Sequence, residues 1–256
     1  SVPIAAIIAV LYRYARDQLD GKSPEVADHG TRTEVGGDES AARGRLPAYN
    51  LADGKKVWDC HSTGSDADLC FSNDTNKANP HYGTAGKELG IKTFPGEDWK
   101  IGGGAAWGWY SYDPELKLVY YSTGNPGLWS PSYRCPGKTH EECNTGEYDN
   151  KWSMTIFARK VDTGEAVWAY QMTPFDQWDY DGVNENILTD MDIDGKKVKA
   201  LTHFDRNGFA YVLDPEGVFN SRCNTQMVEL EGLDEREDIE TVHEMLVRHV
   251  QHTSSL

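Results

Sequence analysis

The residues that speak most directly of chemistry are Asp179 and Asp181, in Trp178-Asp-Tyr-Asp-Gly182. On an extended segment, side chains two positions apart point the same way, about 7 Å from one another. Two carboxylates so placed repel unless a proton or a cation lies between them. A hard cation held by oxygens answers that repulsion, with an Asn carbonyl such as that of Asn125 completing the set. The same spacing also suits two solvated turn acids. Arg206, in Asp205-Arg-Asn-Gly208, reads alone as a surface ion pair. The Gly102-Gly-Gly104 triplet precedes Trp107-Gly-Trp109 and a strand rather than a helix, which argues against a nucleotide cradle. A flat aromatic beside flexible glycines instead fits a platform for a planar ring.

The elements that must position these groups are strands. Leu118–Ser122, Ser153–Phe157, Ala166–Tyr170 and Phe209–Leu213 alternate with period two and are bounded by Gly, Asp, Asn and Pro. Ala48–Trp58 and Ala158–Trp168 share one layout: a strand, a D-G or T-G turn, then a strand carrying Trp. Tyr110–Tyr120 has the same hairpin grammar without the Trp, and Asp214-Pro-Glu-Gly217 opens another turn. Repeated four-stranded units with a Trp near one turn predict an all-β propeller, in which that Trp packs between blades. At about 45 residues per blade, residues 31–222 would hold roughly four.

The flanks read differently. Val2–Tyr12 is apolar but about half the ~20 residues a membrane span needs, and residues 1–30 form a helical, then polar, extension. From 226 to 256 the spacing of Leu230, Leu233, Ile239, Val242, Leu246 and Val250 predicts an acidic amphipathic helix. His243-Glu244 fails as a zinc motif because position 247 is Val. The propeller segment is thus 31–225. With 41 acidic against 25 basic residues the formal charge is -16, which argues against nucleic acid and suits cations or a basic protein partner. Five cysteines lack a C-x-x-C. Cys60 with Cys70 and Cys135 with Cys143 are spaced to close short loops in an oxidising compartment, leaving Cys223 over.

Taken in order, Gly102–Pro114, Thr123–Pro126, Asp149–Met154, Trp178–Asn184 and Asp205–Gly208 closely resemble the pyrroloquinoline-quinone (PQQ) dependent methanol dehydrogenases. In their catalytic subunits the pattern runs G-G-G-x-x-W-G-W-Y-x-Y-D-P, T-G-N-P, D-N-K-W-S/T-M, W-D-Y-x-G-V-N and D-R-N-G. The resemblance covers about residues 31–222. It implies an eight-bladed propeller of which this chain holds part, and oxidation of methanol or other primary alcohols to aldehydes. Electrons would pass to a c-type cytochrome, in the periplasm, with a homodimer compatible.

Carried over position by position, Trp107 resembles the tryptophan under the quinone, Arg206 the arginine facing its reactive oxygen, and Asp179 the catalytic and metal-binding aspartate. Asn125 and Glu39 resemble the remaining metal ligands. Asp181 resembles the extra carboxylate of lanthanide-dependent members, where calcium-dependent ones read W-D-Y-A, so the resemblance favours a lanthanide over calcium. Ala105 and Ala106 replace a Thr and an Asn of the family pattern, and Gly36–Ala41 departs from its S-G-A-E-F-G stretch. Those departures, and the blades without counterpart, leave a second expectation open: an inactive propeller fragment acting as a binding module.

Overall fold

A computed structural model of the chain describes residues 43–77, 86–127, 129–143, 145–193, 195–216 and 226–229. The strands fall into three sheets. β1 (Arg45–Tyr49) and β2 (Lys56–His61) form a hairpin. β3 (Tyr110–Asp113), β4 (Leu118–Ser122), β5 (Thr155–Lys160) and β6 (Ala166–Gln171) form a sequential antiparallel meander. β7 (Asn186–Ile193), β8 (Lys196–Phe204), β9 (Phe209–Leu213) and β10 (Gln226–Glu229) form a second. Four-stranded meanders packed face to face are propeller blades, so the fold class expected from the repeats is the one observed, although the described residues form two complete four-stranded sheets and one hairpin rather than the roughly four blades expected from length.

Period-two patterning explains the stacking. All five residues of β4 are buried, because both faces of its sheet are covered. Leu118 and Tyr120 enter one core with Ile156, Trp168, Leu201, Tyr211 and Leu213, between the two meanders. Tyr121 points the other way, into a core with Phe157, Trp152, Leu46 and Leu69 on the side of the β1–β2 hairpin. The β3–β4 turn closes as an Asx turn, with Asp113 Oδ1 accepting the amides of Glu115 (2.8 Å) and Leu116 (3.0 Å).

The repeated Trp ties neighbouring blades, as its recurrence predicts. Trp58 on β2 donates Nε1–H to the carbonyl of Val161, in the β5–β6 turn, at 2.8 Å. Trp168 on β6 donates to the carbonyl of Pro215, in the turn after β9, at 2.9 Å. Each tie runs from a Trp-bearing strand to the turn that follows the third strand of the next sheet. Gly164 makes room for the first: a Cβ there would lie 2.6 Å from the Trp58 ring.

β6 is the outer strand of its sheet, and residues 71–76 lie along it as a strap. Phe71 bridges Ala166, and the Asn76 side chain accepts from the amide of Ala169 (2.8 Å) while donating to its carbonyl (3.2 Å). Cys60–Cys70, at the head of this strap, and Cys135–Cys143 are both disulfides, the two pairings the spacing suggested. Cys223 and the predicted N-terminal helix lie outside the described residues. The predicted C-terminal helix needs correction at its start. Gln226–Glu229 pairs with β9 as a strand, because the β9 edge offers a ladder that a lone turn of helix lacks; residues 230–256 lie outside the described residues.

Candidate functional site

In an antiparallel meander, alternate connections emerge at the same end of the sheet. The entry to β3, the β4–β5 and β6–β7 connections and the β8–β9 turn therefore share one end. The motifs singled out in the sequence occupy these four segments.

The glycine triplet is a junction. Gly104 N–H donates to the Asn125 carbonyl (2.8 Å), Gly124 N–H to the Ala105 carbonyl (2.9 Å), and Gly44 N–H to the Gly103 carbonyl (2.8 Å). A Cβ on Gly103 would lie 2.0 Å from the Gly127 nitrogen, at φ +85°, so only glycine lets these backbones meet. The consequence is that Asn125 is seated directly against the segment that carries Trp107.

Gly124 gathers three of the expected groups. A Cβ there would fall 2.9 Å from Asp181 Oδ1 and 3.5 Å from Trp107 Nε1, and the next residue is Asn125. Trp107 is 59% exposed, so its ring is open to a planar guest. Asn125 is buried and donates through Nδ2 to the Pro126 carbonyl at 3.3 Å, so the nitrogen, not the oxygen, is the hydrogen-bonded end of its amide.

Asp179 and Asp181 do not lie on an extended segment as their alternation suggested. Both adopt left-handed backbone, at φ 62° and 53°, a conformation that Asp tolerates better than most residues. Asp179 Oδ1 is buried with no hydrogen-bond partner. A buried carboxylate oxygen without a donor is costly unless a cation or proton meets it. Asp181 Oδ2 faces Arg206 Nη1 at 3.7 Å, so the arginine does form an ion pair, but within the site. Glu39 lies outside the described residues, and among those described no three His, Cys, Asp or Glu side chains converge as a metal cage.

Two buried acids escaped the sequence reading. Asp176 Oδ1 accepts the amide of Trp178 (2.9 Å) and Oδ2 that of Tyr180 (3.1 Å). Burial pushes its carboxyl above the usual range, against the pull of those two amides. Asp205 is buried beside Gly182, and neither of its oxygens has a donor in full hydrogen-bonding geometry; burial raises it to about 7. Asp205 opens the D-R-N-G motif and Asp176 stands two residues before Trp178. Both are short acids in turn-rich stretches, where burial is not written in the pattern.

The profile of the PQQ glucose/ethanol/alcohol dehydrogenase β-propeller domain matches residues 29–217. A lanthanide-dependent methanol dehydrogenase of Methylacidiphilum fumariolicum is 54% identical over 180 residues, 70% of this chain and 27% of its own. Methanol dehydrogenase (cytochrome c) subunit 1 of Methylorubrum extorquens is 51% identical over 179 residues, 70% of this chain and 26% of its own. A solved europium-containing methanol dehydrogenase superposes with a TM-score of 0.62 at 54% identity, over 70% of this chain and 29% of that one. The chain thus spans roughly a quarter of the length of the curated relatives it matches.

Proposed function

This chain belongs to the PQQ glucose/ethanol/alcohol dehydrogenase β-propeller family, and from that premise we propose that its loop-end site serves PQQ- and metal-dependent oxidation of methanol or another primary alcohol. The observation that carries the reading is the assembly around Gly124: an exposed indole, a buried Asn and the Asp181 carboxylate, the last lying two residues after Asp179, whose Oδ1 is buried without a donor. These residues fit the groups the family implies. Gly124 keeps open a space that any side chain would fill, and Asp179 Oδ1 is an acceptor suited to a cation.

When bound, the quinone supplies a two-electron acceptor and the cation supplies Lewis acidity. Trp107 would bear the quinone ring on its exposed face. Asp179, Asn125 and Asp181 would hold the cation through oxygen, with Glu39 as the further ligand the resemblance implies. Asp179 would accept the alcohol proton as general base. Arg206 brings a fixed positive charge to the same mouth, suited to stabilising charge that develops on an oxygen. Asp181 adds a carboxylate to the ligand set, which favours a trivalent lanthanide over calcium. Relatives at nearly equal identity include a lanthanide-dependent enzyme and a cytochrome c-linked subunit, so this residue, rather than overall likeness, carries the metal preference. A c-type cytochrome as electron acceptor agrees with the second relative's name and with the acidic charge of the chain. Two disulfides agree with a periplasmic location, and among the described residues no helix is long and apolar enough to cross a membrane.

The test titrates the chain with PQQ plus La3+, and separately PQQ plus Ca2+, following quinone absorbance and dye-linked methanol oxidation. La3+-dependent binding and turnover, lost in Asp179→Ala, is the expected result. Absence of cofactor binding with either metal would sink this reading in favour of a propeller segment that works as a binding module. The Asp181–Arg206 pair, which occupies both groups with each other, is the observation that favours that second reading.

A further inference from the structure

The segment that bears Asp179 is backbone-strained. Phe175, Asp179 and Asp181 all have positive φ, at 51°, 62° and 53°, and a bulky residue such as Phe175 is an outlier there. Such conformations persist only where surrounding contacts over-determine them. One buried arginine and one buried acid supply prominent contacts of this kind. Arg134, 1% exposed, donates Nη2–H to the backbone carbonyl of Asp176 and Nη1–H to Asn150 Oδ1, and its guanidinium lies 4.2 Å from the centroid of the Phe175 ring. Its Nε and Nη2 also bind the Trp129 carbonyl, at 3.1 and 2.6 Å. Asp176, itself fully buried, spends both carboxylate oxygens on the amides of Trp178 and Tyr180, the residues on either side of Asp179.

We propose that Asp176 is the positioning residue for Asp179 and that Arg134 anchors it, so that a buried guanidinium and a buried carboxylate together fix the backbone on which the metal-binding acid is presented. The inference rests on the reading of Asp179 as a metal ligand given above. Asp176 clamps the amides on both flanks of Asp179, so the backbone that presents Asp179 is held from both sides. Arg134 acts one step further back, through the Asp176 carbonyl and the Phe175 ring. It is followed directly by Cys135, so the disulfide loop Cys135–Cys143, buried against Phe175, backs the same anchor.

The test uses the full chain and Tb3+ alone, read by tryptophan-sensitised luminescence. Loss of an outer contact that orients a metal ligand typically weakens metal affinity about 10–100-fold, and Asp176→Ala is expected to fall in that range. Asp176→Asn, nearly isosteric and keeping one acceptor oxygen, is expected to fall between Asp176→Ala and the parent chain. If Asp176→Ala fails to fold by circular dichroism, the Asn variant carries the test alone. A merely structural role would shrink the folded fraction and leave the affinity of the remainder unchanged, which overturns the proposal. Asp179→Ala separates the two ideas. If it abolishes Tb3+ binding while both Asp176 variants bind like the parent, the positioning role is wrong and the metal site stands. If Asp179→Ala binds Tb3+ normally, the metal-site reading fails and the positioning role falls with it.

Discussion

Replacing Asp205 by asparagine is expected to remove a large pH dependence of stability in the metal-free chain. Burial is the main influence on this carboxyl and raises it from 3.8 to about 7; the charge of Asp176 adds to the rise, and the amides of Arg206 and Asn207 oppose it. Because the folded pKa lies above the unfolded one, the folded chain holds the proton more tightly. The stability so gained is fully present below the unfolded value and is lost as pH rises through the folded one. A shift of about three pKa units corresponds to about 4 kcal/mol at roughly 1.4 kcal/mol per unit. His203 runs the other way. Burial lowers its imidazole from 6.5 to about 4, so its contribution is present above the unfolded value and lost as pH falls toward the folded one. That term is common to both chains and cancels in their difference. Urea denaturation followed by tryptophan fluorescence, at about pH 4 and about pH 8, measures what remains. The two chains are expected to match at the acid end, with Asp205→Asn more stable by up to about 4 kcal/mol at the alkaline end. Parallel pH profiles for parent and variant would refute the argument that this carboxyl is buried without adequate donors.

Two further outcomes follow from the packing. Trp58→Phe and Trp168→Phe each remove one indole hydrogen bond to a carbonyl in the adjoining sheet, so each is expected to cost about 1–2 kcal/mol. Urea midpoints check this, and Val57→Thr, at an exposed β2 position, serves as the control that should move little. Gly124→Ala places a methyl 2.9 Å from Asp181 Oδ1 and 3.5 Å from Trp107 Nε1. It is expected to weaken Tb3+ binding by at least about tenfold, the lower end for disturbing a ligand's surroundings, while the thermal midpoint, read by circular dichroism, shifts little.

The sequence carried much of this fold because alternation is a direct imprint of a two-faced sheet. β4 and β9 fall on the residues the pattern marked, and the Trp repeat foretold ties between blades because only a recurring geometric need repeats one bulky residue at one turn. The site was legible as a set of residues but not as a geometry. Asp179 and Asp181 looked like neighbours on a strand, yet both adopt left-handed backbone, in a segment whose Asp176 carbonyl accepts from Arg134, 42 residues away and silent in any local period. Gln226–Glu229 was read as helix because the apolar spacing beyond it is helical, while its strand state depends on the edge β9 presents. Asp205 shows the same limit: nothing in D-R-N-G distinguishes a solvated turn acid from a buried one.

The strap along β6 bears on how the chain behaves before its cysteines are oxidised. Residues 71–76 fill the ladder positions of an outer strand whose own residues are largely apolar, and the Cys60–Cys70 bond holds the head of that strap against the β1–β2 hairpin. An exposed apolar strand edge is a template for pairing between molecules. Newly made chain in which this bond has not closed would offer β6 to its neighbours, and oxidation at Cys60 and Cys70 would act as the step that withdraws the molecule from self-association.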